Sequence, residues 1–173
     1  MSTRLDDLGD VRSDTQTGSV GAASEAILNR TLTYRLHLLH KISDKVSQRA
    51  YLSEAGLSLS DGRCLTTVGT FEPLSINDLA RASNLNKGQA SRAAQSLVDL
   101  GLARKENHPE DGRGVVLSLT PEGRRLWKIT MDMVRRRNQE IFGCLSVAEQ
   151  SQLSELLDRL IRHAQQAGED GIV

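Results

Sequence analysis

The chain has 173 residues, 38% hydrophobic and 25% charged, a composition typical of a soluble globular protein. No apolar run is long enough to span a bilayer, and the first ten residues lack a secretory apolar stretch, so we expect a cytoplasmic protein with no membrane partner. Cys64 and Cys144 show no C-x-x-C spacing, which indicates neither a zinc site nor a dithiol. We therefore expect no cofactor and no metal.

Charge is unevenly distributed along the chain. The 22 basic residues balance the 22 acidic ones, so the net charge is zero. Residues 1–23 carry a net charge of −2 and residues 144–173 a net charge of −3, whereas residues 75–143 hold 12 basic and eight acidic groups. Because salt screens distant charges, a locally basic lobe can bind a polyanion in a neutral protein.

The first half of the chain predicts an arm followed by two helices. Residues 1–23 are polar and lack apolar periodicity, which favours a mobile arm. From about Ser24 an apolar repeat continues without Gly or Pro until Gly56, so residues 24–56 predict one long amphipathic helix. Ser58 and Asp61 form a capping-box-like S-x-x-D that predicts the start of a second helix, ending before Pro73.

Residues 75–101 have the pattern of a helix-turn-helix. Ser75 predicts the cap of a short helix that ends near residue 83. After a tight turn, Asn86 is a natural N-cap for a helix over residues 87–100, and Gly101 is a natural stop. Two helices joined by a short turn are a DNA-binding motif whose second helix enters the major groove.

A β-hairpin and two more helices follow. Residues 102–106 and 115–119 alternate in the manner of strands on either side of a turn, which predicts a wing. Thr120 and Pro121 open a helix that reaches Gly143, and Ser146 opens a last one. The predicted architecture is mainly α with a small β-hairpin wing: a DNA-binding lobe over residues 57–122, C-terminal helices over 123–166 and a tail over 167–173.

Polar side chains mark the first turns of the second helix of this motif. Gln can hydrogen-bond adenine through both ends of its amide, and Arg can do the same to guanine. Gly88 has two interpretations: close approach of the helix to a phosphate, or a frayed first turn where glycine costs little. The predicted DNA-facing residues of this helix are Lys87, Gly88, Gln89, Ser91, Arg92 and Gln95.

The predicted wing tip carries Arg113 between two glycines. An arginine in so open a setting can reach into a narrow minor groove, and Asp111 is placed to brace it. Taken alone, a turn arginine is more often a solvated charge, but the preceding helix-turn-helix favours the DNA-binding interpretation.

Two segments resemble the MarR family of transcriptional regulators: LNKGQASRAAQSLVDLGLAR, residues 85–104, and DGRGVVLSLTPEG, residues 111–123. The resemblance covers roughly residues 24–166 and implies a winged helix-turn-helix whose N- and C-terminal helices interlock with those of a second copy. It also implies that Asn86 and the helix positions after it face the operator. Arg113 would then enter the minor groove, with Asp111 steadying the wing.

The outer helices predict a homodimer on physical grounds as well. The first and last helices carry apolar stripes without a lobe of their own to bury them, and a two-fold pairing would cover both. A two-fold protein predicts a palindromic operator with half-sites about 10 bp apart, so that both recognition helices meet one face of the duplex.

An effector site follows from the resemblance, since such regulators commonly bind small anionic aromatic compounds beside the dimer helices. An aromatic acid or its CoA thioester would release a repressor from DNA. Candidate effector-binding residues are Tyr34, His37, His40, Lys41, Arg63 and Cys64, although a solvated or dimer-packed face is the more common state of such a cluster.

Several alternatives stay open at this stage. His37 and His40 are spaced to share a metal but lack further ligands nearby, and Cys64 is a candidate oxidant sensor. A winged-helix protein-interaction module is another interpretation, which the basic residues of the helix and wing disfavour. An enzyme is not expected, since no G-x-S-x-G, H-E-x-x-H or phosphate-loop motif occurs.

Overall fold

The computed structural model describes residues 27–107 and 114–169, with side chains as far as residue 167. Contacts divide the chain into two units within the first long helix, between Ile42 and Ser43, and each unit is described by itself. The elements are α1 (Leu32–Ala55), α2 (Leu59–Phe71), β1 (Leu74–Ser75), α3 (Ile76–Ala82), α4 (Lys87–Asp99), β2 (Ala103–Asn107), β3 (Val115–Leu119), α5 (Pro121–Phe142) and α6 (Val147–Glu169).

The described part of the first unit is a helical turn followed by the start of α1. The expectation of an uninterrupted helix is wrong here, because residues 29–31 form a turn. Thr31 explains the break: its Oγ donates to the Leu28 carbonyl at 2.8 Å and accepts the Tyr34 N–H at 3.4 Å. A threonine hydroxyl that bonds local backbone in this way caps a new helix rather than continuing the old one.

The second unit is built on a core shared by α2, α3, α4 and the sheet. Its most buried members are aliphatic side chains from all of these elements: Leu65, Val68, Leu79, Leu97, Leu117 and Leu119. The Ser58 side chain accepts the Asp61 N–H at 3.1 Å, which confirms the predicted cap of α2. Alternating or periodic apolar residues thus bring a helix-turn-helix and a hairpin onto one core.

The sheet has three antiparallel strands in the order β1-β3-β2. The predicted hairpin strands are confirmed, with Ala103 opposite Leu119 and Asn107 opposite Val115. Strand β1 was not predicted, because two residues are too short to show periodicity; Leu74 pairs with Leu117. The strand joins the entrance of the helix-turn-helix to the exit of the wing.

An N-cap positions the start of α5 and a capping box the start of α6. Thr120 accepts the Gly123 N–H at 3.0 Å with Pro121 in the first turn, as predicted for α5. Ser146 donates to the Glu149 carboxylate from its Oγ at 2.7 Å and from its backbone N–H at 2.8 Å. These two hydrogen bonds lower the pKa of Glu149. Helix α6 continues to Glu169, past the boundary at residue 166 expected from sequence. No helix in the described ranges is both long enough and apolar enough to cross a bilayer.

Candidate nucleic-acid interface

The turn between helices α3 and α4 is fixed by its backbone conformation and by a backbone hydrogen bond. Asn84 takes a φ of 55°, a conformation that asparagine tolerates better than most residues, and the Leu85 N–H bonds the Ala80 carbonyl at 3.0 Å. Ala90, Ala94 and Leu97 are fully buried against the core. Small alanines allow α4 to lie close to α2 and α3, so its opposite face is presented outward with little freedom to move.

The N-terminus of α4 is closed by a complete capping box. The Asn86 side chain accepts the Gln89 N–H at 2.8 Å, and the Gln89 Oε1 accepts the Asn86 N–H at 3.2 Å. The first N–H groups of a helix have no partner within it. The cap satisfies two donors and leaves those of Lys87 and Gly88 for a ligand such as a phosphate.

All the DNA-facing residues predicted on α4 and its cap are exposed: Asn86, Lys87, Gly88, Gln89, Ser91, Arg92 and Gln95. Within the described part of the chain, Lys87 and Arg92 make no ion pair, whereas Arg63, Arg104 and Arg124, among others, do. Two unpaired cations on an exposed helix face can meet a nucleic acid without first breaking an internal bond.

Two of the predicted readers are already engaged. The Gln89 Oε1 belongs to the cap, so bidentate pairing with adenine requires that this bond be given up. The Gln95 amide donates to Asp99 at 2.7 Å and accepts from Lys105 Nζ at 2.6 Å, which ties α4 to strand β2. Ser91, Lys87 and Arg92 are the side chains left free to read or position DNA.

Gly88 is not required by packing inside the chain. A Cβ at this position would lie 3.4 Å from Asn86 Oδ1 and 3.6 Å from Arg92 Nη1, which are ordinary contacts. An alanine would fit and would favour the helix. The presence of glycine therefore points to something outside the chain or to a tolerated weak turn, the two interpretations that the sequence left open.

The wing is anchored to α4 through Gly101. Its φ of +69° allows the Leu102 N–H to bond the Leu97 carbonyl at 2.8 Å, which ends the helix in a Schellman turn and starts β2. The predicted wing-tip residues Asp111 and Arg113 lie outside the described residues. Their roles stay predictions.

The predicted effector residues fall in both units. Tyr34, His37, His40 and Lys41 are exposed on the first turns of α1. In the second unit, Arg63 pairs with Asp44 at 2.5 Å.

Cys64 is fully buried, and burial raises the pKa of its thiol to about 11. A protonated thiol inside the core is poorly placed both for ligand contact and for oxidant sensing. Across the described ranges, no group of three or more His, Cys, Asp or Glu residues is arranged to hold a metal.

Sequence reasoning missed a pocket in the second unit. It lies between residues 43–51 of α1 and residues 133–142 of α5 and has a volume of about 190 Å³. Arg137 lines it, although its neighbours Arg135 and Arg136 point to solvent. The available signal was the spacing of Arg137 from Met133 and Ile141, which places a cation within the apolar stripe of α5.

Comparison with known proteins gives one consistent family. The sequence model of the MarR family matches residues 55–114. The chain is 27% identical over 111 residues to the HTH-type transcriptional repressor Rv2887 of Mycobacterium tuberculosis, which covers 64% of this chain and 80% of that protein. Its fold matches a MarR/EmrR family transcriptional regulator from Acinetobacter sp. ADP1 with a TM-score of 0.74 and 23% identity, covering 80% and 98% of the two chains.

A second solved structure of the same fold belongs to a regulator that responds to a small acid. Bordetella bronchiseptica BpsR, whose DNA binding is regulated by 6-hydroxynicotinic acid, matches with a TM-score of 0.68 and 20% identity over 76% of this chain and 94% of that one. The named relatives are transcriptional regulators and not enzymes, which agrees with the class expected from the sequence. The helix-turn-helix and the three-stranded wing sheet agree with these matches: residues 55–114 match the MarR family model, and the fold is that of solved MarR-family winged helix-turn-helix regulators.

Proposed function

We propose that this chain is a dimeric repressor that binds a palindromic operator in the cytoplasm and leaves it when a small anionic effector binds. The supporting observation is the outward face of α4. Its alanines and Leu97 are buried, while the polar side chains of its cap and first two turns are exposed. Among these, Lys87 and Arg92 form no ion pair in the described chain. A helix presented in this way fits the major groove.

Each exposed group of α4 has a distinct part in this proposal. The N–H groups of Lys87 and Gly88 meet a phosphate together with the Lys87 ammonium, which positions the helix. Arg92, one turn further on, reads a guanine edge, and Ser91 contacts a base or sugar nearby. Arg113 reaches the minor groove from the wing with Asp111 beside it, the role that the family resemblance gives both residues.

The dimer is proposed from unburied apolar side chains in each unit. In the first unit Leu32, Leu36 and Ile42 are more than half exposed, and in the second unit Leu160 and Ile161 are exposed on α6. Such contiguous apolar faces usually mark an interface. A two-fold pairing covers them and sets two α4 helices about one turn of DNA apart.

Release by an effector is proposed from similarity to other regulators. It draws on the similarity to BpsR, whose DNA binding is regulated by 6-hydroxynicotinic acid, and on the match of residues 55–114 to the MarR family model. The exposed cluster of Tyr34, His37, His40 and Lys41 stays the predicted contact surface in the first unit. An oxidant-sensing role for Cys64 is disfavoured by its burial and raised pKa.

Selection of bound duplexes from a random library tests the proposal without a known operator. We expect an enriched palindrome whose half-sites are one helical turn apart. Fluorescence anisotropy on that duplex should show affinity falling steeply with salt. A protein-interaction module would give no enrichment and no such dependence.

Matched variants then assign the contacts. Lys87→Ala should weaken binding to all DNA sequences alike and reduce the slope of log affinity against log salt concentration by about one. Arg92→Ala should relax discrimination at one base pair per half-site by about 1 to 3 kcal/mol. Arg113→Ala should weaken binding by more than about tenfold and leave the dimer intact. Arg135→Ala removes the same charge from α5, and an equal loss there would remove α4 from the mechanism.

A further inference from the structure

The side chain of Glu72 is shielded although the residue lies at the end of α2. It is 14% exposed, and its two carboxylate oxygens have different partners. Oε2 accepts the backbone N–H of Leu119 at 2.6 Å, and Oε1 pairs with the Arg124 guanidinium. One carboxylate therefore joins the end of α2, the last residue of β3 and the first turn of α5.

The Glu72 carboxylate takes the place of backbone that β1 does not supply. Leu74 pairs with Leu117, so the antiparallel register places residue 72 opposite Leu119. The strand does not reach that far, and Pro73 has no N–H to give to a ladder. Leu119 is 1% exposed, and without the carboxylate its N–H would be a buried donor with no acceptor.

This hydrogen bond lies where the wing joins the helix-turn-helix. Leu119 is the base of the hairpin, opposite Ala103. On the other side, β1 leads directly into α3, because Ser75 ends the strand and caps that helix by accepting the Asp78 N–H at 3.2 Å. The Glu72 carboxylate thus fixes the returning strand of the wing to the entrance of the helix-turn-helix.

A second side-chain contact on the opposite edge of the wing is less protected from water. Lys105 of β2 donates to Gln95 of α4 at 2.6 Å, and both side chains are exposed. Exposed polar pairs contribute little to stability, because water competes for both partners. Of these two contacts, the shielded one made by Glu72 is the stronger restraint on the wing.

Small rotations at the base of the wing become large displacements along the hairpin. Strand β3 runs from Leu119 back to Val115, a length of roughly 14 Å at about 3.4 Å per residue. A tilt of about 10° at the base would move the far end of a strand of that length by roughly 2 Å. Hydrogen-bond lengths vary by only about 0.5 Å, so a wing with a loose base loses its contacts with DNA.

We infer that Glu72 is a positioning residue for DNA binding. Its carboxylate holds the wing at the angle that lets Arg113 enter the minor groove while α4 lies in the major groove. Arg124 holds the carboxylate in turn from the first turn of α5. The consequence for DNA binding rests on the proposed repressor function, but the restraint on the wing base does not.

Fluorescence anisotropy of the full chain on the selected operator tests this role. Glu72→Ala should lower operator affinity by about tenfold, close to the loss expected of Arg113→Ala. In a chain that already carries Arg113→Ala, it should lower affinity by less than about twofold, because both substitutions act through one contact. Removal of an acid near DNA would by itself strengthen binding, so the expected loss is opposite in sign to the charge effect.

Two control variants separate positioning from folding and charge. Glu72→Gln loses the charge but keeps an oxygen that can accept the Leu119 N–H, so it should retain most of the operator affinity. Glu122→Ala removes an exposed acid from the first turn of α5 and should bind at least as tightly as the unmodified chain. If Glu72→Ala does not fold, Glu72→Met replaces it, since methionine matches glutamine in length but is only a weak acceptor.

Two measurements on the free protein test the restraint without DNA. Glu72→Ala should speed hydrogen exchange at the Leu119 amide, whereas Glu72→Gln and Glu122→Ala should not. Trp127 is the only tryptophan of the chain, and a Cβ at Gly69 would collide with both its ring and the Leu119 side chain. Acrylamide should therefore quench Trp127 fluorescence more strongly in Glu72→Ala.

The outcomes distinguish this inference from the proposed function. A chain that ignores DNA refutes both the repressor and the DNA-binding role of Glu72, and amide exchange then decides whether the restraint on the wing base exists. A chain that binds the operator equally well with and without Glu72→Ala keeps the repressor and refutes the positioning role. An equal loss with and without Arg113→Ala also refutes it, because Glu72 would then act on more than the wing.

Discussion

Substitution of Gly88 by alanine should move folding stability and DNA affinity in opposite directions. Gly88 is the second residue of α4 and is exposed. The added Cβ would meet Asn86 Oδ1 at 3.4 Å and Arg92 Nη1 at 3.6 Å, so nothing in the chain has to shift. Alanine also restricts the unfolded chain more than glycine does.

The magnitude on the folding side follows from helix propensity. Alanine is favoured over glycine by about 0.8 to 1 kcal/mol in a helix interior, and a first-turn position obtains part of that, so we expect a gain of about 0.5 kcal/mol. For a chain of this size that corresponds to a rise in Tm of roughly 1 to 2 °C.

The magnitude on the binding side follows from the proposed phosphate contact. If the N–H of Gly88 lies against a phosphate, a methyl group there separates them and weakens a charge-assisted hydrogen bond. Loss of such a bond costs about 1.5 kcal/mol or more, which is a tenfold loss of operator affinity. Folding and binding then diverge, which a simple folding defect cannot produce.

Thermal melting and anisotropy on the same preparation measure both effects. Gly101→Ala is the control, since its φ of +69° makes any side chain unfavourable, and it should lower Tm. An alanine at residue 88 that raises Tm and leaves operator affinity unchanged would refute the close approach. Glycine would then be a tolerated residue of a weak first turn.

Three other predictions test the fold. A thiol reagent at about pH 8 should label the exposed Cys144 quickly and Cys64 only on unfolding, because Cys64 is buried and burial raises the pKa of its thiol to about 11. The same pKa shift should lower the free energy of unfolding as pH rises from 9 toward 11, because the unfolded thiol then loses its proton before the folded one does. Glu72→Ala should lower the free energy of unfolding by about 2 kcal/mol in a denaturant melt, since the Glu72 Oε2 accepts the backbone N–H of Leu119 at 2.6 Å. Glu122→Ala, which removes an exposed ion pair, should lower it by under about 1 kcal/mol. Asn86→Ala should lower the free energy of unfolding by about 1 kcal/mol in the same melt, because it removes the capping box of α4. An unchanged free energy of unfolding would mean that the capping box contributes nothing.

The helix boundaries of the second unit were predictable because their causes are local. Ser58, Ser75, Asn86, Thr120 and Ser146 each bond a backbone or side-chain group three residues away, a pattern that is legible in the sequence itself. The hairpin strands were predictable because two short strand-like segments flank a turn rich in Gly, Pro and Asp, although residues 116–119 of β3 are buried in succession and not alternately.

The features that were not predicted depend on partners distant in the chain or on competing local bonds. Strand β1 exists because Leu74 meets Leu117, and nothing in two residues reveals that pairing. The turn at residues 29–31 depends on whether the Thr31 hydroxyl bonds backbone or solvent, and apolar periodicity runs through it unchanged. Periodicity identifies a face, but it does not identify a break within that face.

The same limit applies to the sites. The sequence placed Gln89 and Gln95 on the exposed face of α4, which is where they lie, but it could not show that a cap and Lys105 already occupy them. Residues 135–137 are three consecutive arginines, and nothing in that run shows that Arg137 alone is turned inward beside a pocket. A charge inside an apolar stripe is therefore the pattern to examine first, because burial leaves a cation few ways to be satisfied except a ligand or a neighbouring acid.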